Sequence, residues 1–429
     1  MIEVVTMGEM LIDFVSVKSG VAIKDSPGFT KAPGGAPANV AVGVRRLGRT
    51  SGFIGKVGSD DFGRFLGETL AREGVDTRGV RYEDRARTML AFVSLGPDGE
   101  REFMFYRHPS ADMLLEPSEI DTGLIAEAQV FHHGSISLIT EPSRSATLAA
   151  VEAAKGAGAL VSYDPNLRLP LWPTPDEART AILAVAPSAD IIKVSEEELA
   201  FLTRADGVAE GVRRLRNVVA AECAIVVTRG RHGCALALGG STGGSTGLWL
   251  EVSGFDVQAV DTTGAGDAFV AGLLVGLIEA AGATVGTGIG AAASASASAS
   301  TGAGTSAGAG AVAGARADAD ADADAGLGAG ARPGARPGAG ARPGARPDAD
   351  ADADAGVGAA SGDGAGTGAA SRAATTTRTA LRTLGEAEWM RVLTLANAVG
   401  ALCTTKLGAI PALPTAQEVR AFLDARSSG

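Results

Sequence analysis

The sequence predicts an α/β fold: a mostly parallel central sheet flanked by helices on both faces, with a small β-hairpin lid and a long disordered low-complexity insertion. Three observations lead to it. Short apolar runs alternate with helical patterns, as parallel strands alternate with their crossover helices. Two other stretches read as hairpins. Once a compositionally simple stretch is set aside, roughly 330 of the 429 residues remain, enough for one large domain.

In chain order, the buried-strand candidates are "VVTMG", "SGFIGKVG", "QVFHHGS", "GALVSYDP", "ADIIKVS" and "AIVVTRG". Between them lie helical patterns such as "ANVAVGVRRLG", "FGRFLGETLAREG" and "SRSATLAAVEAAKGAG". The hairpins are "DFVSVKSGVAIKDSPGFTKAPGG" and "RTMLAFVSLGPDGEREFMFYRH", giving lid segments over about 14–33 and 86–108. The second turns at Pro97-Asp98-Gly99. Ligands of open α/β sheets bind outside the carboxyl ends of the strands, where an inserted hairpin forms a lid.

Residues 284–374 run through alternating Ser-Ala and Asp-Ala blocks and four "GARP" units. They lack the large apolar side chains that offset the entropy of ordering, which predicts disorder. Two readings stay open: a solvated spacer or acidic interaction tract, and a repeat expansion or mistranslated GC-rich stretch. The ordered domain is then 1–283 together with 375–429. In the second piece "TALRTLGEAEWMRVLTLANAVG" reads as another helical stretch.

The net charge of −11, part of it from the Asp-Ala blocks, argues against nucleic acid and anionic membranes as partners. No apolar run is expected to reach membrane-spanning length. Cys223, Cys234 and Cys403 have no metal-ligand spacing and read as reduced thiols. The chain enters the apolar stretch "IEVVTMGEMLIDFV" almost at once, with no targeting pattern before it, so the cytosol is expected.

Chemistry concentrates in "DTTGAGDAFVAG", residues 261–272. Glycines precede an acid, Asp267, where an apolar helix begins. Helix N-termini attract anions, but an acid repels a resting phosphate. The G-K-[ST] of a Walker loop is absent, and a dinucleotide fingerprint would place glycine where Phe269 stands. The combination makes sense for a phosphoryl group in transit, whose growing charge needs N–H donors while the incoming hydroxyl needs a base. The residues therefore predict phosphoryl transfer to an alcohol.

Elsewhere, Gly34-Gly35 in "APGGAPANVAVGVRRLG" allows close approach of backbone to ligand, with Asn39 in the first turn of the next helix. Asp13 closes an apolar strand and reads equally as a turn residue. Ser195 and Glu198 form S-x-x-E, which a capping box explains by itself; a place near metal-bound phosphate is the alternative. His132 and His133, adjacent on a strand, point to opposite faces and do not make a metal pair.

"DTTGAGDAF" with "GGAPANVAVGVRRLG" closely resembles the two signatures of PfkB-type carbohydrate kinases, which have the ribokinase-like fold. Further blocks, "KAPGGAPANVAVG", "IGKVGSDDFGR", "GEREFMFYRHPSADMLL", "FHHGSISLITEPSRSA", "SYDPNLRLPLW" and "TTKLGAIPALP", resemble the plant-type fructokinases of that family. The resemblance covers about residues 3–280 and resumes near 380. It implies an ATP-dependent kinase that phosphorylates the 6-hydroxyl of fructose.

By that resemblance Asp267 is the catalytic base, and Gly264, Ala265 and Gly266 form the anion hole. Asp13, Gly34, Gly35 and Asn39 hold sugar hydroxyls, with Arg107 and Arg168 near the substrate or the transferred phosphate. Lys193, Thr228, Gly230 and Gly233 border the nucleotide phosphates, and Asn397 the adenine side. Asp261, Thr263 and the backbone at Gly408 match a monovalent-cation loop, usually for K+. Mg2+ arrives with ATP, held mostly through water near Glu198. The resemblance also implies a homodimer through the β lid. Ser195 replaces the family's usual asparagine in N-x-x-E, which puts a direct contact from position 195 to the metal's water shell in doubt. A 2-keto-3-deoxygluconate kinase or another sugar kinase of the family is the near alternative, because Arg107 and Arg168 suit a carboxylate. A catalytically silent scaffold is the alternative of another class, and the intact Asp267 and glycine turn weigh against it.

Overall fold

Strand residues that are buried on both faces fix the centre of the molecule. A computed structural model describes residues 2–95, 101–239, 247–284 and 377–427. The Pro97-Asp98-Gly99 turn and the insertion predicted over 284–374, apart from Thr284, lie outside these residues.

The strands are β1 (Val4–Met7), β2 (Leu11–Ser16), β3 (Phe29–Gly34), β4 (Ser51–Gly58), β5 (Asp76–Glu83), β6 (Leu90–Leu95), β7 (Arg101–Tyr106), β8 (Val130–His133), β9 (Leu160–Tyr163), β10 (Ile191–Ser195), β11 (Ala224–Thr228), β12 (Cys234–Ala237) and β13 (Trp249–Val252). The helices are α1 (Ala36–Arg46), α2 (Asp61–Arg72), α3 (Thr122–Ala126), α4 (Ser143–Ala157), α5 (Pro175–Val185), α6 (Glu196–Thr203), α7 (Val208–Arg216), α8 (Ala265–Thr284), α9 (Glu386–Cys403) and α10 (Ala416–Ser427).

Among the described residues, nine strands form one sheet in the order β13-β12-β11-β10-β9-β8-β1-β4-β5. It is parallel from β5 to β11, and β12 and β13 add an antiparallel edge. All six runs read as buried strands lie in the parallel part. The outlying strands β5, β12 and β13 carry too weak a sequence signal to be read, because "DTRGVRYE" is largely polar and "CALA" and "WLEV" are only four residues long. Chain direction across the sheet reverses between β1 and β8, and such a switch point opens a crevice at the strands' carboxyl ends.

Alternation divides the core. Val4, Phe53 and Val130 face the layer of α1, α2, α8 and α9, while Val5, Ile54 and Phe131 face α3 and α4. Farther along the sheet, Ile192, Val194 and Val227 pack on α5, α6 and α7.

The two predicted hairpins form, with β2 antiparallel to β3 and β6 antiparallel to β7. They also join, because β2 runs parallel to β6. The lid is therefore one four-stranded sheet, β3-β2-β6-β7. Phe92 stacks on Phe14 with centroids 5.0 Å apart and meets Phe29 edge-on at 5.1 Å, which ties the two hairpins together.

Helix α8 corrects one expectation. Its stretch Ala265–Ala283 is long and apolar enough to cross a membrane, yet it is a core helix, 72% buried, packed between α1 and α9. Small residues permit that packing: a Cβ on Gly43 would lie 2.7 Å from Ala271 Cβ, and one on Gly272 2.9 Å from Ala396 Cα. The stretch read as one helix over 379–400 is broken. Residues 377–383 are helical, and Gly385 then caps the start of α9.

Gly272→Val therefore forces α8 and α9 apart and is expected to cost about 1–3 kcal/mol, the usual range for an overpacked core. Gly156→Ala, in a helix with nothing within 4 Å of the added carbon, should be neutral or slightly stabilising. Thermal unfolding of both variants beside the wild type checks the contrast.

Candidate active site

The carboxyl ends of β1, β9, β10 and β11 and the start of α8 converge at the switch point. Gly264, with φ +76°, turns the chain into α8, and its carbonyl accepts the Ala268 N–H at 2.8 Å. That left-handed angle suits glycine, and a Cβ there would press on Ala409 at 3.0 Å. Ala265 and Gly266 follow as the first residues of the helix; the Ala265 N–H donates weakly to the Thr262 carbonyl at 3.3 Å, and the helix terminus is a region of positive potential.

Asp267 is buried one step further on. Its Oδ2 accepts Asn39 Nδ2 at 2.8 Å and its Oδ1 accepts Asn166 Nδ2 at 3.5 Å. Burial pushes its pKa up, while Asn39 and the positive fields of Arg168 and Lys193 pull it back. The carboxylate is thus oriented by two amides and is more basic than an exposed one. Asn39 Oδ1 is buried with no partner, an orphaned acceptor beside the acid.

A cavity of about 780 Å³ opens over the glycine turn. Lys193, Thr228, Gly230, Gly233, Ala265, Gly266 and Asn397 all line it, so the predicted nucleotide residues and two of the predicted anion-hole residues share one space. Thr228 ends β11, and the turn after it bends through Gly230 and Gly233. Asn397 Nδ2 donates to the carbonyls of Val252 and Ser253, both at 3.2 Å, which pins α9 to β13 at the far end.

Lys193 Nζ pairs with Asp164 Oδ2 at 3.0 Å and lies 3.3 Å from where a Cβ of Gly266 would stand. Burial alone would lower the Lys193 pKa; Asp164 and Glu198 raise it, and the ammonium stays charged. Ser195 and Glu198 form the capping box of α6: Ser195 Oγ accepts the Glu198 N–H, and Glu198 Oε2 accepts the Ser195 N–H at 2.7 Å. Glu198 Oε1 also accepts the Leu167 N–H at 2.7 Å, anchoring the loop that carries Asn166 and Arg168. Arg168 and Glu198 line a second, adjoining cavity of about 470 Å³, shared with Lys193.

On the lid side, the Asp13 carboxylate lies against Gly34, where a Cβ would come within 2.1 Å of its Oδ2. Gly35 has φ +111° and is the N-cap of α1. Arg107 follows β7 but folds inward, away from both cavities. It is 3% exposed, donates from Nε to Asp112 Oδ2 at 2.9 Å and from Nη2 to the Ile136 carbonyl. Asp112, five residues on, supplies its buried counter-charge.

The three cation-loop residues come together. Asp261 Oδ1 accepts the Thr263 N–H at 2.9 Å, and its Oδ2 accepts the Gly408 N–H at 2.8 Å. His132 and His133 sit on opposite faces of β8: His132 Nδ1 bonds Ser162 Oγ, while His133 stacks on Tyr163. Burial pushes their pKa values down to about 3 and about 4, so both are neutral.

Three further site residues carry no motif of their own. Asn166 and Asp164 were visible in "SYDPNLR" just past a strand's carboxyl end, the place where such sheets hold ligands. Glu9 follows β1; it is 3% exposed, and its Oε1 accepts the Ala36 N–H at 3.1 Å.

The profile described as "pfkB family carbohydrate kinase" matches residues 1–309 of this chain. "Probable fructokinase-6, chloroplastic" of Arabidopsis thaliana is 55% identical over 273 residues, 63% of this chain and 69% of that protein. "Fructokinase-2" of Zea mays is 54% identical over 276 residues, 63% of this chain and 79% of that protein. Among solved structures, a fructokinase double mutant from Vibrio cholerae O395 in fructose, ADP and potassium ion bound form has a TM-score of 0.66 and 29% identity, covering 98% of both chains. Fructokinase with bound ATP from Xylella fastidiosa has a TM-score of 0.67 and 27% identity, covering 99% of both.

Burial raises the Glu9 pKa from 4.5 to about 7, against its backbone hydrogen bonds. An acid whose folded pKa is raised contributes stability below its unfolded value and loses it as pH rises through the folded one. Glu9→Gln removes this titration. Between pH 4.5 and 7 the stability difference should move in the variant's favour by about 3 kcal/mol, from 1.36 kcal/mol per unit. Urea unfolding of both proteins across that range measures it.

Proposed function

The chain belongs to the pfkB family of carbohydrate kinases, and from that premise we propose an ATP-dependent fructokinase that yields fructose 6-phosphate and ADP. The observation that carries the reading is Asp267, a buried carboxylate held by Asn39 and Asn166 at the first turn of α8, beside a nucleotide-sized cavity. Asp267 takes the proton of the sugar 6-hydroxyl as its oxygen attacks the γ-phosphorus, and the bond to the ADP oxygen breaks. The N–H groups of Gly264, Ala265 and Gly266 receive the charge that grows on the transferred group. Asp13 and the orphaned Asn39 Oδ1 accept sugar hydroxyls, and Lys193 lies between Asp164 and the phosphate path.

ATP occupies the larger cavity with its phosphates toward Thr228, Gly230, Gly233 and Lys193, and Asn397 bounds the adenine end. A metal ion accompanies the nucleotide, and Mg2+ is the ion we assign. Each Glu198 oxygen accepts one backbone N–H and keeps a second lone pair, which fits a contact through water. Mg2+ so held would neutralise charge on the phosphates. For K+, Asp261 supplies a carboxylate fixed by the Thr263 and Gly408 N–H groups, a hard oxygen donor of the kind such an ion takes. The kinase domain comprises 1–283 and 375–429, interrupted by the low-complexity insertion; α8 carries the chain about 25 Å from Asp267 before it leaves at Thr284. Exposed Val17, Met104 and Tyr106 on the lid sheet support a homodimer through the lid. Three buried free cysteines suit the reducing cytosol, and because one relative is described as chloroplastic, fractionation of expressing cells decides the compartment.

The Arg107–Asp112 pair weighs against Arg107 as a clamp for a keto-acid carboxylate. A coupled ADP-release assay over a sugar panel is therefore expected to give fructose the largest kcat/KM, ahead of 2-keto-3-deoxygluconate, ribose and adenosine. A larger value for the keto acid would reverse the assignment.

Asp267→Asn keeps the size of the side chain and one of the two amide contacts, sets an NH2 opposite the other, and removes the base. Turnover should fall about 10²–10⁴-fold with fructose binding retained, as expected when a general base is lost. Steady-state kinetics and sugar calorimetry on the same preparation separate the two effects, and near-normal turnover would be inconsistent with the assigned role.

A further inference from the structure

We propose that Glu9 is a positioning residue for acceptor binding: it caps helix α1 from a distance and thereby sets the Gly34–Gly35 loop over the sugar. The inference rests on the reading of that loop as part of the sugar site.

Helices α2, α3, α5 and α6 are capped by the side chain of their own N-cap residue, Asp60, Asp121, Thr174 and Ser195. Helix α1 cannot be, because its N-cap is Gly35. The acceptor for its first N–H, that of Ala36, is Glu9 Oε1 at 3.1 Å, from 27 residues earlier in the chain. The Glu9 main chain packs against the same place, its carbonyl oxygen 2.5 Å from where a Cβ of Gly35 would stand. The loop is thus held by the side chain of one buried residue and packed against its backbone.

The consequence reaches the chemistry through α1. Asn39 is the fourth residue of that helix and orients Asp267. A shift at Ala36 therefore moves the sugar loop and the amide on the base together. The Arg107–Asp112 pair, just past lid strand β7, is close enough for both its charges to act on Glu9, which links the cap to the root of the lid. A helix-capping role alone would affect only stability. A positioning role affects the acceptor and spares the nucleotide, whose cavity is built from other strands.

The test uses the full chain, with fructose and ATP varied independently and fructose binding measured by calorimetry without nucleotide. Glu9→Leu removes the acceptor and should raise the fructose KM and Kd about tenfold or more, the scale of a buried N–H left without its partner. The ATP KM should stay within about twofold, since no nucleotide contact is touched. Glu9→Gln keeps a carbonyl oxygen at the same reach and should restore fructose binding to within about threefold of wild type. Equal rises in both KM values, or a lower melting temperature with an unchanged fructose Kd, would overturn the proposal. Should Glu9→Leu not fold, Glu9→Asp shortens the reach by one methylene, and an unchanged fructose Kd in that variant would overturn it equally. A wild-type enzyme that ignores fructose would instead sink the substrate reading, and the comparison is then made with the best acceptor of the sugar panel.

Discussion

The buried carboxylate of Asp267 at the first turn of α8 is the constraint around which the rest is arranged. A charge with so little water near it needs donors, and Asn39 and Asn166 supply them from two distant segments. It also needs a positive surrounding, which the helix terminus, Lys193 and Arg168 provide. Each requirement draws a different part of the chain to one point. Helix α1 must begin beside α8, the loop after β9 must bend inward, and β10 must end with its lysine facing the glycine turn.

Packing makes that convergence possible. Helix α8 is apolar along most of its length because it is buried between α1 and α9, and its glycines allow the backbones to approach closely. The same apolarity would suit a membrane span on composition alone. What distinguishes it is the company it keeps, since neighbouring helices rather than lipid cover its sides. The acid at its start is then carried by a rigid element, which suits a group that must meet a reacting hydroxyl in one geometry.

Buried polar groups around the site are satisfied in ways that separate their roles. Glu198 accepts two backbone N–H groups and so anchors the loop that carries Asn166 and Arg168. Arg107 is spent on Asp112 and a main-chain carbonyl. Asn39 Oδ1 is the contrasting case, a buried acceptor left open beside the base. An unpaired atom in such a place is costly unless something binds it, which is consistent with the acceptor site proposed beside Asp267.

The sequence by itself determined the elements whose information is local. Six buried strands, both lid hairpins, the glycine turn before Asp267 and the capping box at Ser195 and Glu198 were legible, because apolar periodicity, turn residues and cap spacing act within a few residues. Tertiary structure decided whatever depends on residues far apart in the chain. The two hairpins fused into one lid only because β2 meets β6. Arg107 turned inward to a buried partner, Asn166 reached a carboxylate 101 residues away, and Glu9 capped a helix that its own N-cap could not. No spacing rule encodes such contacts, because a buried charge or an orphan N–H takes whichever partner the packed chain brings within about 3 Å.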